Sequence, residues 1–278
     1  MISIKEYVAN KKVEIASIVS NMENKPKLAV VQVGNDPASS AHVNGKKKDC
    51  EEVGIECIHL HYPENVSEYC LLEVVRALNE DSTVTGFIVQ LPLPKHIHEE
   101  AIIEAIDPNK DVDGFSKKHL VDPATPTGII DYLEANKFNF ENANAVVIGR
   151  SNIVCRPMAR LLLDKSCNVR VIHSKTSVYN KIAALKYANL VVVATGHRNT
   201  LVDNELYDAE NEEEYWPTWI VNPNCFIVDA GMNRNEEGKL CGDCETVTVC
   251  EKTPVPGGVG LLTRLALITN LLKLYEGR

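Results

Sequence analysis

The chain has 278 residues, of which 29 are Lys or Arg and 38 are Asp or Glu, giving a formal net charge of −9. That length exceeds the usual single domain and points to two, while an acidic balance without a basic stripe excludes the electrostatic footprint of a nucleic-acid binder. No apolar run approaches the roughly 18 residues of a membrane span, and Lys5, Glu6, Lys11 and Lys12 interrupt the apolar residues of the N-terminus, so a soluble, cytoplasmic protein is expected.

The first half alternates strands and helices. Leu28–Val33 is a continuous apolar run closing on Gly34, as a buried parallel strand should be. Asn35 and Asp36 can cap a helix with Pro37 in its first turn, running to about Val53 before Gly54. Cys57–His61 reads as a strand, Glu68–Leu78 as a helix and Gly86–Gln90 as a third strand, which completes a βαβαβ series. A helix over Glu99–Ile106 and a loop over Asp107–Phe115 follow.

A second alternating series starts at Ala145. Ala145–Ile148 is a strand, a helix begins at about Pro157, and Val169–His173, Leu190–Ala194 and Phe226–Ala230 are strands, with a helix over Tyr179–Ala188. The run Asp203–Pro217, carrying Asp203, Glu205, Asp208, Glu210, Glu212, Glu213 and Glu214, reads as a solvated acidic loop. Leu261–Tyr275 is a helix with no strand after it, expected to pack back on the first series.

Nine cysteines, an odd number, fit reduced thiols better than a disulfide framework. Cys241 and Cys244 form a CxxC pair, but no second pair stands at zinc-site spacing, and no metal is expected.

Two constellations carry chemistry. His42 and Lys46 are one helical turn apart, and burial beside a cleft would make Lys46 usable as an acid or base; taken alone, the run Lys46–Lys47–Lys48 reads as a solvated basic face, and it is the context of the following residues that points to catalysis. Val89-Gln90-Leu91-Pro92-Leu93-Pro94 puts an amide at the carboxyl end of a buried strand, where open α/β sheets bind ligands. Asp111-Val112-Asp113-Gly114-Phe115 adds two carboxylates in a tight turn, where Asp commonly caps its own backbone.

The second constellation runs from Ala145 to Pro157. The strand ends at Gly149 and turns into a helix, aiming backbone N–H groups at a pyrophosphate. Ser151 and Cys155 stand where further glycines would complete a dinucleotide fingerprint. The next strand ends His173-Ser174-Lys175-Thr176 without the acid that suits a free ribose 2′-hydroxyl; Lys175, Ser174 and Arg150 suit an extra 2′-phosphate, which favours NADP over NAD.

These residues resemble the bifunctional methylenetetrahydrofolate dehydrogenase/methenyltetrahydrofolate cyclohydrolase (FolD) family. The resemblance runs through Val33–Ser39, Lys46, Val89–Pro94, Lys110–Phe115, Thr125-Pro126, Gly149–Val154 and Thr253–Gly260. It implies two α/β domains: a folate-binding catalytic domain over residues 1–118 with the C-terminal helix 260–278, and a Rossmann-like NADP-binding domain over 119–259. It implies oxidation of 5,10-methylenetetrahydrofolate and hydrolysis of the methenyl product to 10-formyltetrahydrofolate.

By the same resemblance Lys46 transfers protons in the hydrolytic step, Gln90 holds and tunes it, and Asp113 binds the amino edge of the pterin. Substrate would lie against His42, Lys46, Val89, Gln90, Leu91, Asp113, Pro256, Gly257 and Gly258. The cofactor would lie against Gly149, Arg150, Ser151, Ile153, Ser174, Lys175, Thr195, Gly196 and Gly231. A homodimer is also implied. Three positions depart from the family pattern: His42 replaces a tyrosine, Cys155 a glycine and Leu261 a proline. An imidazole at 42 can become cationic near its ordinary pKa. The alternatives are a dehydrogenase with weak or absent cyclohydrolase, a folate- and NADP-binding protein without turnover, and a dehydrogenase of another small acid.

Overall fold

The computed structural model describes residues 1–202, 216–217 and 221–277. In chain order the elements are α1 (Ile4–Ser20), β1 (Lys27–Val33), α2 (Pro37–Glu52), β2 (Glu56–Tyr62), α3 (Glu68–Glu80), β3 (Gly86–Val89), α4 (Glu99–Glu104) and α5 (Ala124–Ala135). They continue with β4 (Asn144–Ile148), α6 (Cys155–Asp164), β5 (Asn168–Ile172), α7 (Val178–Leu185), β6 (Leu190–Val193), β7 (Leu201–Val202) and β8 (Trp216–Pro217). The last are β9 (Phe226–Asp229), β10 (Asn233–Arg234), β11 (Leu240–Cys241), β12 (Glu251–Lys252) and α8 (Val259–Glu276). Of the acidic run 203–217 only Trp216 and Pro217 belong to the described residues.

The chain divides into two compact units, one of residues 8–124 with 264–278 and one of residues 1–7 with 125–263. In the first, β1 lies between β2 and β3, all parallel, in the order β2-β1-β3. This is the βαβαβ series expected from the apolar runs. Its core gathers Ala29, Val31 and Val33 of β1, Phe87 and Val89 of β3, Leu71, Val75 and Leu78 of α3 and Ile102 of α4. Helix α2 starts where the sequence places it: the Asp36 carboxylate accepts the Ser39 N–H at 2.7 Å and Pro37 follows in the first turn. From Arg264 onward α8 belongs to this unit, where Asn270 Nδ2 donates to Val112 O and Asp122 O at 3.1 and 2.9 Å and the Tyr275 hydroxyl donates to Asn24 O at 2.6 Å.

The second unit holds a parallel five-stranded sheet in the order β12-β9-β6-β4-β5. Val146 and Ile148, Val191 and Val193, Ile227 and the buried Leu185 make its core. Helix α6 begins at Cys155, two residues before the expected Pro157, because Ser151 Oγ accepts the backbone N–H groups of Val154 and Cys155 and starts the turn early. Helices α1 and α5 were not among the sequence expectations. Ile4, Tyr7, Val8, Ile15 and Val19 form the buried stripe of α1, with lysines between them diluting the apolar pattern.

Candidate active site and dinucleotide site

The first site is built on α2, the end of β3 and the loop beyond it. Lys46 is buried, and its Nζ donates to Gln90 Oε1 at 2.8 Å. Gln90 follows directly on β3; its backbone N–H donates to Val31 O at 2.8 Å, and its Nε2 donates to Leu91 O at 2.7 Å, leaving the amide oxygen turned to the lysine. The basic run therefore separates by face: Lys46 points inward while Lys47 and Lys48 are exposed. Burial lowers the Lys46 pKa below its ordinary value, Arg264 adds to the lowering, and Asp113, Cys57 and Cys50 oppose it.

The two carboxylates of the following loop do different work. Asp111 caps its own turn, accepting the Gly114 N–H at 3.0 Å and the Ser116 N–H at 2.8 Å. Asp113, half-buried, receives no hydrogen bond on its carboxylate among the described residues, and burial pushes its pKa up to about 6 against the opposing charge of Lys46. Its backbone is clamped on both sides. Val112 O accepts from Asn270, and Asp113 O accepts the Ala124 N–H at 3.3 Å. Gly114 has φ +69°, and a Cβ there would stand 2.4 Å from Val121 O, so only glycine fits that turn.

His42 lies one turn before Lys46 and is half-buried; burial, Lys46 and Arg264 all hold its imidazole below the ordinary pKa, with only Asp36 opposing. The imidazole is thus biased toward its neutral form, and its titration moves to the acid side of the range expected from the sequence. Val89 is buried in β3 and Leu91 partly exposed beside Gln90. Pro256, Gly257 and Gly258 belong to the other unit.

Sequence reasoning passed over Arg264 and Gly45. Arg264 Nε lies 2.6 Å from Asp49 Oδ2, and its guanidinium covers Gly45 so closely that a Cβ there would be 2.3 Å from Nη1. Both had a signal. A glycine inside a helix marks a close approach, and Arg264 is the one charged residue in the apolar stretch from Val259 to Leu272.

The second site lies in the other unit, at the carboxyl ends of its strands. Gly149, with φ +121°, leaves β4, and a Cβ on it would meet Cys155 Sγ at 2.6 Å and Ala194 O at 2.7 Å. Cys155 is fully buried, its thiol directed at Ala194 O at 3.4 Å, so the departure from glycine at 155 is absorbed in the helix–strand contact. Arg150, Ser151 and Ile153 are exposed around the start of α6. Ser174 and Lys175 are exposed in a turn closed by the Thr176 N–H donating to His173 O at 2.9 Å. Gly196 has φ +70° and nothing within 4 Å of an added Cβ. Gly231 is buried, its Cα against the Asp243 carboxylate.

These residues fit a dinucleotide. A glycine turn opens a helix of ten residues, a second glycine turn stands open beside it, and exposed cationic and hydroxyl side chains follow the neighbouring strand. Among the described residues no three His, Cys, Asp or Glu side chains come together as a metal site would require, and no helix is long and apolar enough to cross a membrane.

Two family models match the chain. The catalytic domain of tetrahydrofolate dehydrogenase/cyclohydrolase matches residues 2–113, and the NAD(P)-binding domain of the same family matches residues 123–278. The chain is 42% identical over 273 residues to the bifunctional protein FolD of Listeria innocua, covering 94% of this chain and 90% of that protein. Among solved structures, bifunctional FolD from Campylobacter jejuni superposes with a TM-score of 0.86 at 35% identity, covering 99% of this chain and 98% of that one. The Trypanosoma brucei enzyme complexed with NADP and an inhibitor shares the fold, with a TM-score of 0.86 at 24% identity over 100% of this chain and 97% of that one.

Proposed function

Because this chain belongs to the tetrahydrofolate dehydrogenase/cyclohydrolase family, we propose that it oxidises 5,10-methylenetetrahydrofolate with NADP and hydrolyses the resulting methenyl cation to 10-formyltetrahydrofolate. The observation that carries the reading is the buried Lys46, held by Gln90 at 2.8 Å in the field of Asp113. Gly149, Arg150, Ser151, Ile153, Ser174, Lys175, Thr195, Gly196 and Gly231 would hold the dinucleotide, with Arg150, Ser174 and Lys175 on the 2′-phosphate that favours NADP. Bound NADP supplies the hydride acceptor.

The hydrolytic step follows from the lysine. Burial favours the neutral amine, and a cationic substrate beside it favours that form further. Water adds to the one-carbon centre while Lys46 takes its proton; the ammonium then returns that proton to the departing ring nitrogen, and the second water proton leaves as the formyl carbonyl forms. Gln90 accepts from Lys46 and fixes its direction. Asp113 accepts from the amino edge of the pterin. His42 is a neutral imidazole on the pterin side in place of the family tyrosine. The family resemblance adds Pro256, Gly257 and Gly258 to the proposed substrate-binding residues.

We assign folate binding to the unit of residues 8–124 with 264–278 and dinucleotide binding to the unit of residues 1–7 with 125–263, in a cytoplasmic homodimer without nucleic-acid partners. The net charge of −9 supports the last point, and the exposed Val171, on edge strand β5, and Tyr179 support self-association of the dinucleotide unit.

The test supplies methylenetetrahydrofolate and NADP and separates NADPH, methenyl- and 10-formyl-tetrahydrofolate over time. The wild type forms NADPH and 10-formyltetrahydrofolate in step, with little methenyl. Lys46→Met lets methenyl accumulate, its hydrolysis slowed on the order of a hundredfold or more while NADPH still forms. No NADPH from the wild type would sink the reading, and methenyl accumulating in the wild type would reduce it to a dehydrogenase.

A further inference from the structure

The segment Cys241-Gly242-Asp243-Cys244 resembles a metal or redox motif in sequence, yet both thiols are buried and burial raises their pKa values. What the segment delivers is the carboxylate between them. Asp243 is fully buried, and its Oδ2 accepts three hydrogen bonds from one turn: the Thr195 N–H at 2.7 Å, the Thr195 hydroxyl at 2.8 Å and the Gly196 N–H at 3.1 Å. Its Oδ1 accepts from Asn233 Nδ2 at 2.8 Å.

Asp243 is itself seated by a second buried carboxylate. Asp229, at the end of β9, accepts the N–H groups of Gly231, Asp243 and Cys244 at 3.0, 2.9 and 2.8 Å. The two glycines of the network are obligatory. A Cβ on Gly231 would stand 2.0 Å from Asp243 Oδ1, and a Cβ on Gly242 would stand 2.0 Å from Asp229 Oδ2. A chain of hydrogen bonds thus runs from β9 through the 242–244 turn to the residues that follow β6. The Thr195–Gly196 turn it ends on continues from Ala194, whose carbonyl meets Gly149, and Gly196 faces open space.

We infer that Asp243 is a positioning residue of the dinucleotide site, holding the Thr195–Gly196 turn in the shape that NADP binds, without touching NADP itself. The inference rests on the dinucleotide reading proposed above. Its physical basis is the acceptor-only character of a carboxylate. At position 243 an amide offers the three donors of the turn a neutral carbonyl in place of a charged oxygen, and its NH₂ faces Asn233, whose own amide must flip to accept it.

The test is Asp243→Asn in the full chain, with NADP affinity measured by titration calorimetry and cyclohydrolase turnover measured on methenyltetrahydrofolate without NADP. The expected result is NADP bound at least tenfold more weakly and a matching rise in its KM. Turnover at saturating NADP and the NADP-free hydrolysis then stay within about threefold of wild type. An unchanged NADP affinity would overturn the inference, as would an equal loss of both activities with NADP affinity intact. Should Asp243→Asn fail to fold, Asn233→Ala decides: a weakening of about threefold supports the role, and none overturns it. Wild-type protein that binds no NADP would instead remove the parent reading.

Discussion

Asp113 combines two demands that conflict. Burial holds its carboxyl up at about 6, so in the folded protein the charged form is disfavoured relative to the unfolded chain, where the ordinary value is 3.8. The ionised carboxylate therefore opposes folding above pH 6; the opposition fades as pH falls toward about 4 and is gone below it. Asp113→Asn should be more stable than wild type above pH 6 by about 1–3 kcal/mol, with the difference vanishing near pH 4, while folate turnover collapses. Chemical denaturation at pH 7.5 and pH 4 checks this. A variant less stable than wild type at pH 7.5 would mean that the charge of Lys46 outweighs desolvation. The sequence displayed Asp111 and Asp113 as equivalent carboxylates in one turn. What separates them is which backbone N–H groups the turn offers to each, a property of the folded loop that residue types do not encode.

At the scale of elements, α2 and α8 meet at Gly45 and Arg264. Ala is about 1 kcal/mol better than Gly inside a helix, so Gly45→Ala in isolation would stabilise α2. Here the added methyl displaces a guanidinium paired with the buried Asp49, a carboxylate that Lys12 also engages. Disturbing a buried pair outweighs the helical preference, and Gly45→Ala should lose about 1–2 kcal/mol of stability. Adding Arg264→Ala makes room for the methyl, so a double-mutant cycle should show coupling of at least about 0.5 kcal/mol. Additive effects, or a stabilised single variant, would show that the guanidinium moves aside freely.

The same contact marks how far elements can be read from sequence. The strands were legible because continuous apolar runs ended on Gly34, Gln90 and Gly149, and α2 because Asp36 and Pro37 announce its start. Helix α1 was not, since Lys11 and Lys12 interrupt its apolar stripe and Lys12 is spent on Asp49 of another helix. The partner of a charged residue lies in tertiary structure, and a sequence read by periodicity alone counts it as solvated surface.

For the whole molecule, the division of buried side chains between the two units decides what a ligand stabilises. Among the described residues a core of the first unit is drawn from residues between Ala29 and Ile106, and a core of the second from residues between Val146 and Cys250. Cores with no shared side chain open as separate cooperative units, and a ligand raises the opening free energy of the unit it binds by RT ln(1 + [L]/Kd), about 2.7 kcal/mol at a hundredfold excess over Kd. NADP at that excess should slow hydrogen exchange at the most protected amides of β4, β6 and β9 by about a hundredfold. Those of β1 and β3 should change far less. Equal slowing in both sheets would mean that the two cores open as one, and the stability of the lysine site would then depend on NADP. Slowing confined to β4, β6 and β9 leaves Lys46 and Gln90 in a scaffold that stands without the dinucleotide, as an NADP-free hydrolytic step requires.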